Sequence, residues 1–145
     1  MSKKYIICDL DGTLCDHKHR IHYAWLQQWV HYNSRCRYDQ VNIDVRNFLE
    51  SAESKDFKII FLTGRSEEYR NMTVEWLNSN ISLKNYDLLM RKNEDFTRSD
   101  KMKRAILEKF FEGRDISQEV YKAIDDDEAC CRMFHALGVV YVHYK

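Results

Sequence analysis

Four apolar runs along the chain each stop at a polar or charged residue: Tyr5-Ile6-Ile7 shortly before Asp9, Lys58–Leu62 before Thr63, Tyr86–Met90 before Arg91, and Val120–Ile124 before Asp125. Short apolar runs rich in β-branched and aromatic residues and bounded by turn formers predict buried strands. A fifth such run, Val139–Tyr144, follows Gly138. Between them the spacing turns helical. Ile21, Ala24, Trp25, Trp29 and Tyr32 predict a helix over 21–32; core packing is the expected role of Trp25, Trp29 and Tyr32, ahead of stacking on nucleobases. Residues 33–42 read as polar and irregular. Asp44 is the expected N-cap of a helix carrying Val45, Phe48, Leu49 and Ala52, and Ser66 that of a helix over 67–77. Met102, Ala105, Ile106 and Phe110 mark a helix over 100–111, and Glu128–Leu137 a last one stopped by Gly138. Strands alternating with helices, without a hairpin signal, predict βαβ units and a parallel sheet. The expectation is an α/β chain forming one domain over residues 1–145, Rossmann-like and doubly wound.

Composition narrows the class. The chain has 145 residues, of which 44% are hydrophobic and 32% charged, values of a folded globular protein rather than a disordered one. Its formal net charge is zero, so no global basic field advertises nucleic acid, and any such contact must be local. Cys8, Cys15, Cys36, Cys130 and Cys131 contain no C-x-x-C pair, which argues against a zinc or dithiol motif and for reduced thiols in a cytoplasm. Met-Ser-Lys-Lys resembles a signal n-region, but the apolar stretch behind it meets Asp9 too soon for an h-region, and no run reaches membrane-spanning length. A cytoplasmic protein without membrane contact is expected.

The candidate chemistry sits at strand ends, where open α/β sheets bind ligands. Asp9-Leu10-Asp11-Gly12-Thr13 places two carboxylates around one peptide unit, then a glycine suited to a sharp turn and a hydroxyl that can tie that turn or meet phosphate. A plain surface turn is the competing reading. Thr63-Gly64-Arg65 offers a hydroxyl and backbone amides for an anion, or merely a strand-to-helix turn. Asp125-Asp126-Asp127 sets three carboxylates together at the end of an apolar strand, which favours a cation between them over a solvated loop; Asp127 suits an N-cap. His17, His19 and His22 have neither helical nor zinc-motif spacing and read as solvated or substrate-contacting loop residues.

Asp9-Leu10-Asp11-Gly12-Thr13-Leu14 resembles the signature that opens the haloacid dehalogenase (HAD) superfamily of phosphohydrolases, and Thr63 and Asp125-Asp126 match its later motifs in order. The superfamily's third motif is a lysine near a helix start; among Lys101, Lys103 and Arg104, Lys103 fits best by its spacing to the apolar face, with Lys101 in reserve. Within the superfamily the chain is most similar to the 3′-phosphatase domain of phage polynucleotide kinases, through Arg20 after the opening motif, Thr63-Gly64-Arg65, Phe96-Thr97-Arg98-Ser99-Asp100, Ala123–Asp126 and Gly138-Val139. The kinase half has no counterpart, since no P-loop motif occurs.

The resemblance implies a HAD fold and a Mg²⁺-dependent phosphomonoesterase working through an aspartyl-phosphate. It casts Asp9 as nucleophile, Asp11 as general acid and base, and Lys103 as the charge-neutralising cation. Thr63, Gly64, Arg65 and Arg20 would bind the phosphoryl group, the two arginines by bidentate grip. The metal would be held by Asp9, the Asp11 main-chain carbonyl, and Asp125 or Asp126. The segments 15–57 and 91–100 leave room for a minimal cap or none, so the site is expected to be open, accepting a phosphorylated nucleic acid end or a nucleotide, or using a partner copy as lid. Removal of 3′-phosphates from nucleic acid ends is the leading expectation. A nucleotidase or small-metabolite phosphatase is the alternative, and a non-catalytic binding module on the same scaffold the second.

Overall fold

The computed structural model describes residues 3–145. The predicted apolar runs form β1 (Tyr5–Cys8), β4 (Lys58–Ser66), β5 (Asp87–Arg91), β6 (Val120–Asp125) and β7 (Tyr141–His143), all paired in parallel in the order β5-β4-β1-β6-β7. Parallel strands need covered faces, and their residues divide by parity between the two sides. Ile6, Cys8, Ile59 and Phe61 pack with Val45 and Leu49 of α3 (Ile43–Ser54) and with Trp76 and Leu77 of α4 (Arg70–Asn80). Ile7, Ile60 and Leu62 face the other way, onto Leu107 and Phe111 of α5 (Ser99–Phe111) and Met133 and Phe134 of α7 (Glu128–Ala136). The sheet is doubly wound, and the strand order reverses between β1 and β6, a switch point at which α/β sheets hold ligands.

Several expectations are corrected. The helix over 21–32 is two short helices, α1 (Ile21–Trp25) and α2 (Trp29–Ser34), broken where Gln27 takes φ 56°. The period is helical, but the face that carries Trp25 and Trp29 is left in solvent. α1 buries none of its side chains, Trp25 and Trp29 stand 75% and 54% exposed, and only Tyr32 is buried. Residues 33–42 are less irregular than expected: they hold a 3-10 turn and β3 (Gln40–Val41), which pairs antiparallel with β2 (Cys15–Asp16). Asp44 lies inside the first turn of α3, where its carboxylate accepts from its neighbour Val45 N and from Tyr144 Oη, while Asn42 occupies the cap position. Ser66 ends β4 and donates to Glu68, so α4 starts only at Arg70. A short α6 (Ile116–Glu119), capped by Asp115, precedes β6. Asp127 caps α7 by accepting from Cys130 N, and Gly138 closes that helix at φ 75°.

All five cysteines are free and buried, and no helix among the described residues is long and apolar enough to cross a membrane. Phe111 anchors α5 edge-on against Tyr5 and Phe110. Phe111→Ala should cost about 3–5 kcal/mol, whereas Trp25→Ala, in solvent, should stay within about 0.5 kcal/mol of the parent. Chemical denaturation of both variants checks the contrast.

Candidate active site

Register brings the first two carboxylates together. Cys8 is paired with Ile124 and Asp9 N donates to Ile124 O at 3.0 Å, so Asp9 and Asp125 leave adjacent strands side by side. Gly12 then turns the chain at φ 84°, with the Asp126 carboxylate lying where a Cβ would stand, so no other residue fits there. Thr13 ties the turn, its hydroxyl lying 3.3 Å from Asp9 Oδ2 and 3.2 Å from Asp126 Oδ1. Asp9, Asp125 and Asp126 each present an oxygen within 4.8 Å of the others.

One cation faces this group. Lys103 is buried with Met102 and Leu107 on the inner side of α5 and donates from Nζ to Asp9 Oδ1 at 3.0 Å and to Asp125 Oδ2 at 2.8 Å. Lys101 points to solvent. Burial raises the Asp9 carboxyl to about 7 against the pull of Lys103, with Asp126 adding to the rise. Burial and Asp9 raise Asp125 to about 6, and burial also raises Asp126. Three carboxylates against one ammonium leave two negative charges unbalanced when all are ionised. An oxygen-only cluster with that deficit fits a hard divalent cation such as Mg²⁺.

Asp11 borders the same cleft but belongs to an adjoining charge cluster. Its carboxylate accepts from Arg20 Nη2 at 2.5 Å and from Arg65 Nη2 at 2.6 Å. Burial pushes Asp11 up, but Arg65 and Arg20 outweigh it and hold the group well below the usual carboxylate range. Both guanidinium groups are fully buried, and neither faces an open cleft. Arg20 also donates to both oxygens of Asp39 and stacks over the Tyr32 ring at 4.3 Å, and Arg65 donates to Thr73 Oγ1. The bidentate grip expected on phosphate is, in this structure, a grip on carboxylates. Asp39, from the polar stretch that drew no attention, is the residue missed; nothing in its surroundings in sequence marks it. Asp11, Cys15 and Asp39 also lie close enough together to hold a metal, but two guanidinium groups already balance the two carboxylates.

Thr63 is buried within β4, where the pairing with β5 becomes irregular, its hydroxyl oxygen accepting from Arg65 N at 3.1 Å, and Gly64 lines the cleft beside it. His17 is half-buried, its Nδ1 meeting Tyr32 Oη at 2.7 Å, whereas His19 and His22 are exposed as expected, His19 Nε2 meeting Asp39 Oδ1 at 2.6 Å and His22 lying on the Tyr23 ring. Arg91, another residue without a sequence signal, bonds Gly64 O, Asp95 O, Thr97 O and Ser99 Oγ and so fixes the 95–99 loop.

Above Asp9, Asp125 and Lys103 opens a cleft of about 810 Å³ with two unlike rims. Trp29 and Val30 of α2 form one, and residues 91–100 the other. No inserted domain covers it among the described residues. The surroundings are those of an acid cluster for a hard cation, with a lysine at the first strand's carboxylate and room for a large substrate.

Over residues 3–144 the chain matches the family described as the polynucleotide kinase PNKP phosphatase domain. A putative bifunctional polynucleotide kinase/RNA ligase of Autographa californica nuclear polyhedrosis virus is 26% identical over 92% of this chain, which spans 18% of that protein. The Pnkp1/Rnl/Hen1 complex contains a chain 28% identical over 99% of this one, with a TM-score of 0.81, of which this chain spans 45%. A HAD family enzyme of Bacteroides thetaiotaomicron, solved with magnesium and inorganic phosphate, shares the fold at 12% identity and a TM-score of 0.57. The chain thus spans less than half the length of the first two of these relatives; it belongs to the PNKP phosphatase domain family of HAD-type phosphatases.

Proposed function

We propose that residues 1–145 form one phosphatase domain that removes a 3′-phosphate from a nucleic acid end, through an aspartyl-phosphate on Asp9 and with Mg²⁺. The observation that carries this reading is the position of Asp9, flanked by Lys103 and by two further carboxylates at the switch point, beneath an uncapped cleft. The printed descriptions of the relatives, a polynucleotide kinase/RNA ligase and an RNA repair complex, support a nucleic acid end as substrate. The five free, buried thiols support a cytoplasmic setting.

Asp9, Asp125 and Asp126, with the Asp11 carbonyl, would hold Mg²⁺. Bound there, the ion supplies positive charge that lets a carboxylate and a phosphate approach each other. Asp9 attacks phosphorus, and the P–O bond to the 3′-oxygen breaks. Lys103 sits against the attacking carboxylate and balances charge on the transferring group. Gly64 lines the cleft and is the natural anion contact, with Thr63 buried directly behind it. Held ionised by Arg20 and Arg65, Asp11 holds no proton in the resting site. The proton arrives on the monoanionic phosphomonoester and passes through Asp11 to the leaving oxygen; phosphomonoesters carry a second pKa near about 6. Asp11, again ionised, then takes a proton from the water that opens the aspartyl-phosphate. Arg20 and Arg65 are therefore proposed to act on substrate through Asp11.

Three outcomes follow. Asp9→Asn should lower phosphate release on the order of a thousandfold or more while the fold persists, read with a 3′-phosphorylated oligonucleotide, a 3′-mononucleotide and a 5′-mononucleotide in parallel. Best turnover of the oligonucleotide by the parent enzyme is expected, and preference for either mononucleotide would make it a nucleotidase. Mg²⁺ should raise the melting temperature, and by more as pH rises. The folded Asp9 value, about 7, lies above that of an unfolded chain, so metal-free protein loses stability as pH rises through that range. A shift that is constant between about pH 5.5 and about pH 8 would place the ion away from Asp9. Arg20→Ala leaves Asp39 buried without its bidentate partner and Asp11 with Arg65 alone, and should destabilise by about 3–5 kcal/mol, against no measurable change for exposed Lys18→Ala; a thermal melt of each decides.

A further inference from the structure

Between Asp16 and Asp39 the chain contains no carboxylate, although the whole protein is electrically neutral. The same stretch carries Lys18, Arg35 and Arg37 besides the buried Arg20, interleaved with aromatic residues. Trp25 and Trp29 stand in solvent, with Leu26 and Val30 exposed next to them. The core does not include these side chains: no residue of α1 is fully buried, and Trp29 meets Tyr32 edge-on at 5.8 Å between ring centroids.

The patch continues into the catalytic cleft. Trp29 and Val30 form one of its walls, together with Tyr32 and Asn33. On the facing rim Phe96 is 92% exposed, at the tip of the loop that Arg91, itself bonded to Gly64 O, holds by three hydrogen bonds. That rim is mixed in charge, with Lys92 and Arg98 among Glu94, Asp95 and Asp100. The α1–α2 side alone offers basic and aromatic groups without an acid.

We infer that the α1–α2 segment is the landing platform for single-stranded polynucleotide, whose last bases stack on Trp29 and Trp25 while its terminal phosphate reaches Asp9. Deepening the 3′-phosphatase reading and resting on it, this assigns the residues that prefer a polymer end to a free nucleotide. Exposed aromatic rings beside positive charge are the usual surface for single strands, because every base offers a π-face and every phosphate a charge. The basic groups of the same segment complement the strand's backbone, and the absence of carboxylates removes what would repel it. A duplex end is too wide and too well stacked to give up its bases to the two rings.

The Trp25→Ala/Trp29→Ala double variant tests this, with two readouts. The first is binding of an unphosphorylated single-stranded octanucleotide, followed by intrinsic fluorescence and by anisotropy of a labelled strand. Of the three tryptophans only Trp76 is buried, so quenching in the parent protein reports on the platform. Quenching, affinity that falls with added salt, and a loss on the order of tenfold or more in the variant are expected. The second is the ratio of kcat/KM for a 3′-phosphorylated octanucleotide to that for a 3′-mononucleotide, which should collapse toward one in the variant, through KM. An octanucleotide that binds the variant as tightly as the parent, or a parent that binds blunt duplex equally well, overturns the platform. Octanucleotide binding that depends on the tryptophans, without phosphate release from any substrate, would overturn the phosphatase reading and leave the platform standing.

Discussion

A buried lysine between two aspartates sets the terms for this molecule. Parallel register at the switch point puts Asp9 and Asp125 on neighbouring strands with their carboxylates side by side, an arrangement whose repulsion grows as water is removed. Lys103 answers it from another element, and the inner face of α5 (Met102, Leu107 and Phe111) holds the ammonium in place through apolar packing. The core thus does electrostatic duty: the hydrophobic contacts of one helix fix the position of a charge. Asp126 adds a third carboxylate for which no second cation is supplied, and that shortfall gives the site its appetite for a divalent ion.

The adjoining compartment is solved in the opposite way. Asp11 and Asp39 face Arg20 and Arg65, and the charges close among themselves. Two compartments built from the same residue types therefore differ in chemistry because one is balanced and the other is not. The balanced one holds a carboxylate ionised and oriented, and the unbalanced one holds oxygens ready for a cation. Removing one member of the closed set leaves a buried, unpaired charge, which ties the orientation of Asp11 to the stability of the α1–α2 region through Arg20, Tyr32 and Asp39.

Much of this was legible in sequence because its signals are local. Apolar runs ending on Asp9, Thr63 and Asp125 gave strand ends, strand ends gave the edge of a parallel sheet, and the period of Met102 and Ile106 gave the helix that carries Lys103. What was not legible depends on partners distant in sequence. An aspartate in a polar stretch, such as Asp39, carries no mark of the two arginines that will surround it. Arg20 and Arg65 read as phosphate ligands because a motif states which residues gather, not which of them pair with one another. The tryptophans failed for a related reason. Helical spacing states which side chains share a face, and only the tertiary structure states whether anything lies against that face; Trp25 and Trp29 are left in solvent.

Those two features bear on one another. With Arg20 and Arg65 spent on Asp11 and Asp39, the floor of the cleft has few groups left to recognise anything beyond a phosphate and a cation. A floor of that kind treats phosphomonoesters much alike, and fold by itself does not restrict them further. Discrimination has to be built where the substrate's remainder lies, at the rims, and there the sequence has placed exposed tryptophans and bare positive charge on a segment that the sheet does not need. Burying Trp25 and Trp29 would have gained about 1.5–3 kcal/mol or more for each ring. Their exposure gives that stabilisation up, and stacking on a base recovers part of it only when a strand is bound. Affinity for the strand and the marginal packing of α1 are then one property of the same surface, seen with and without its ligand.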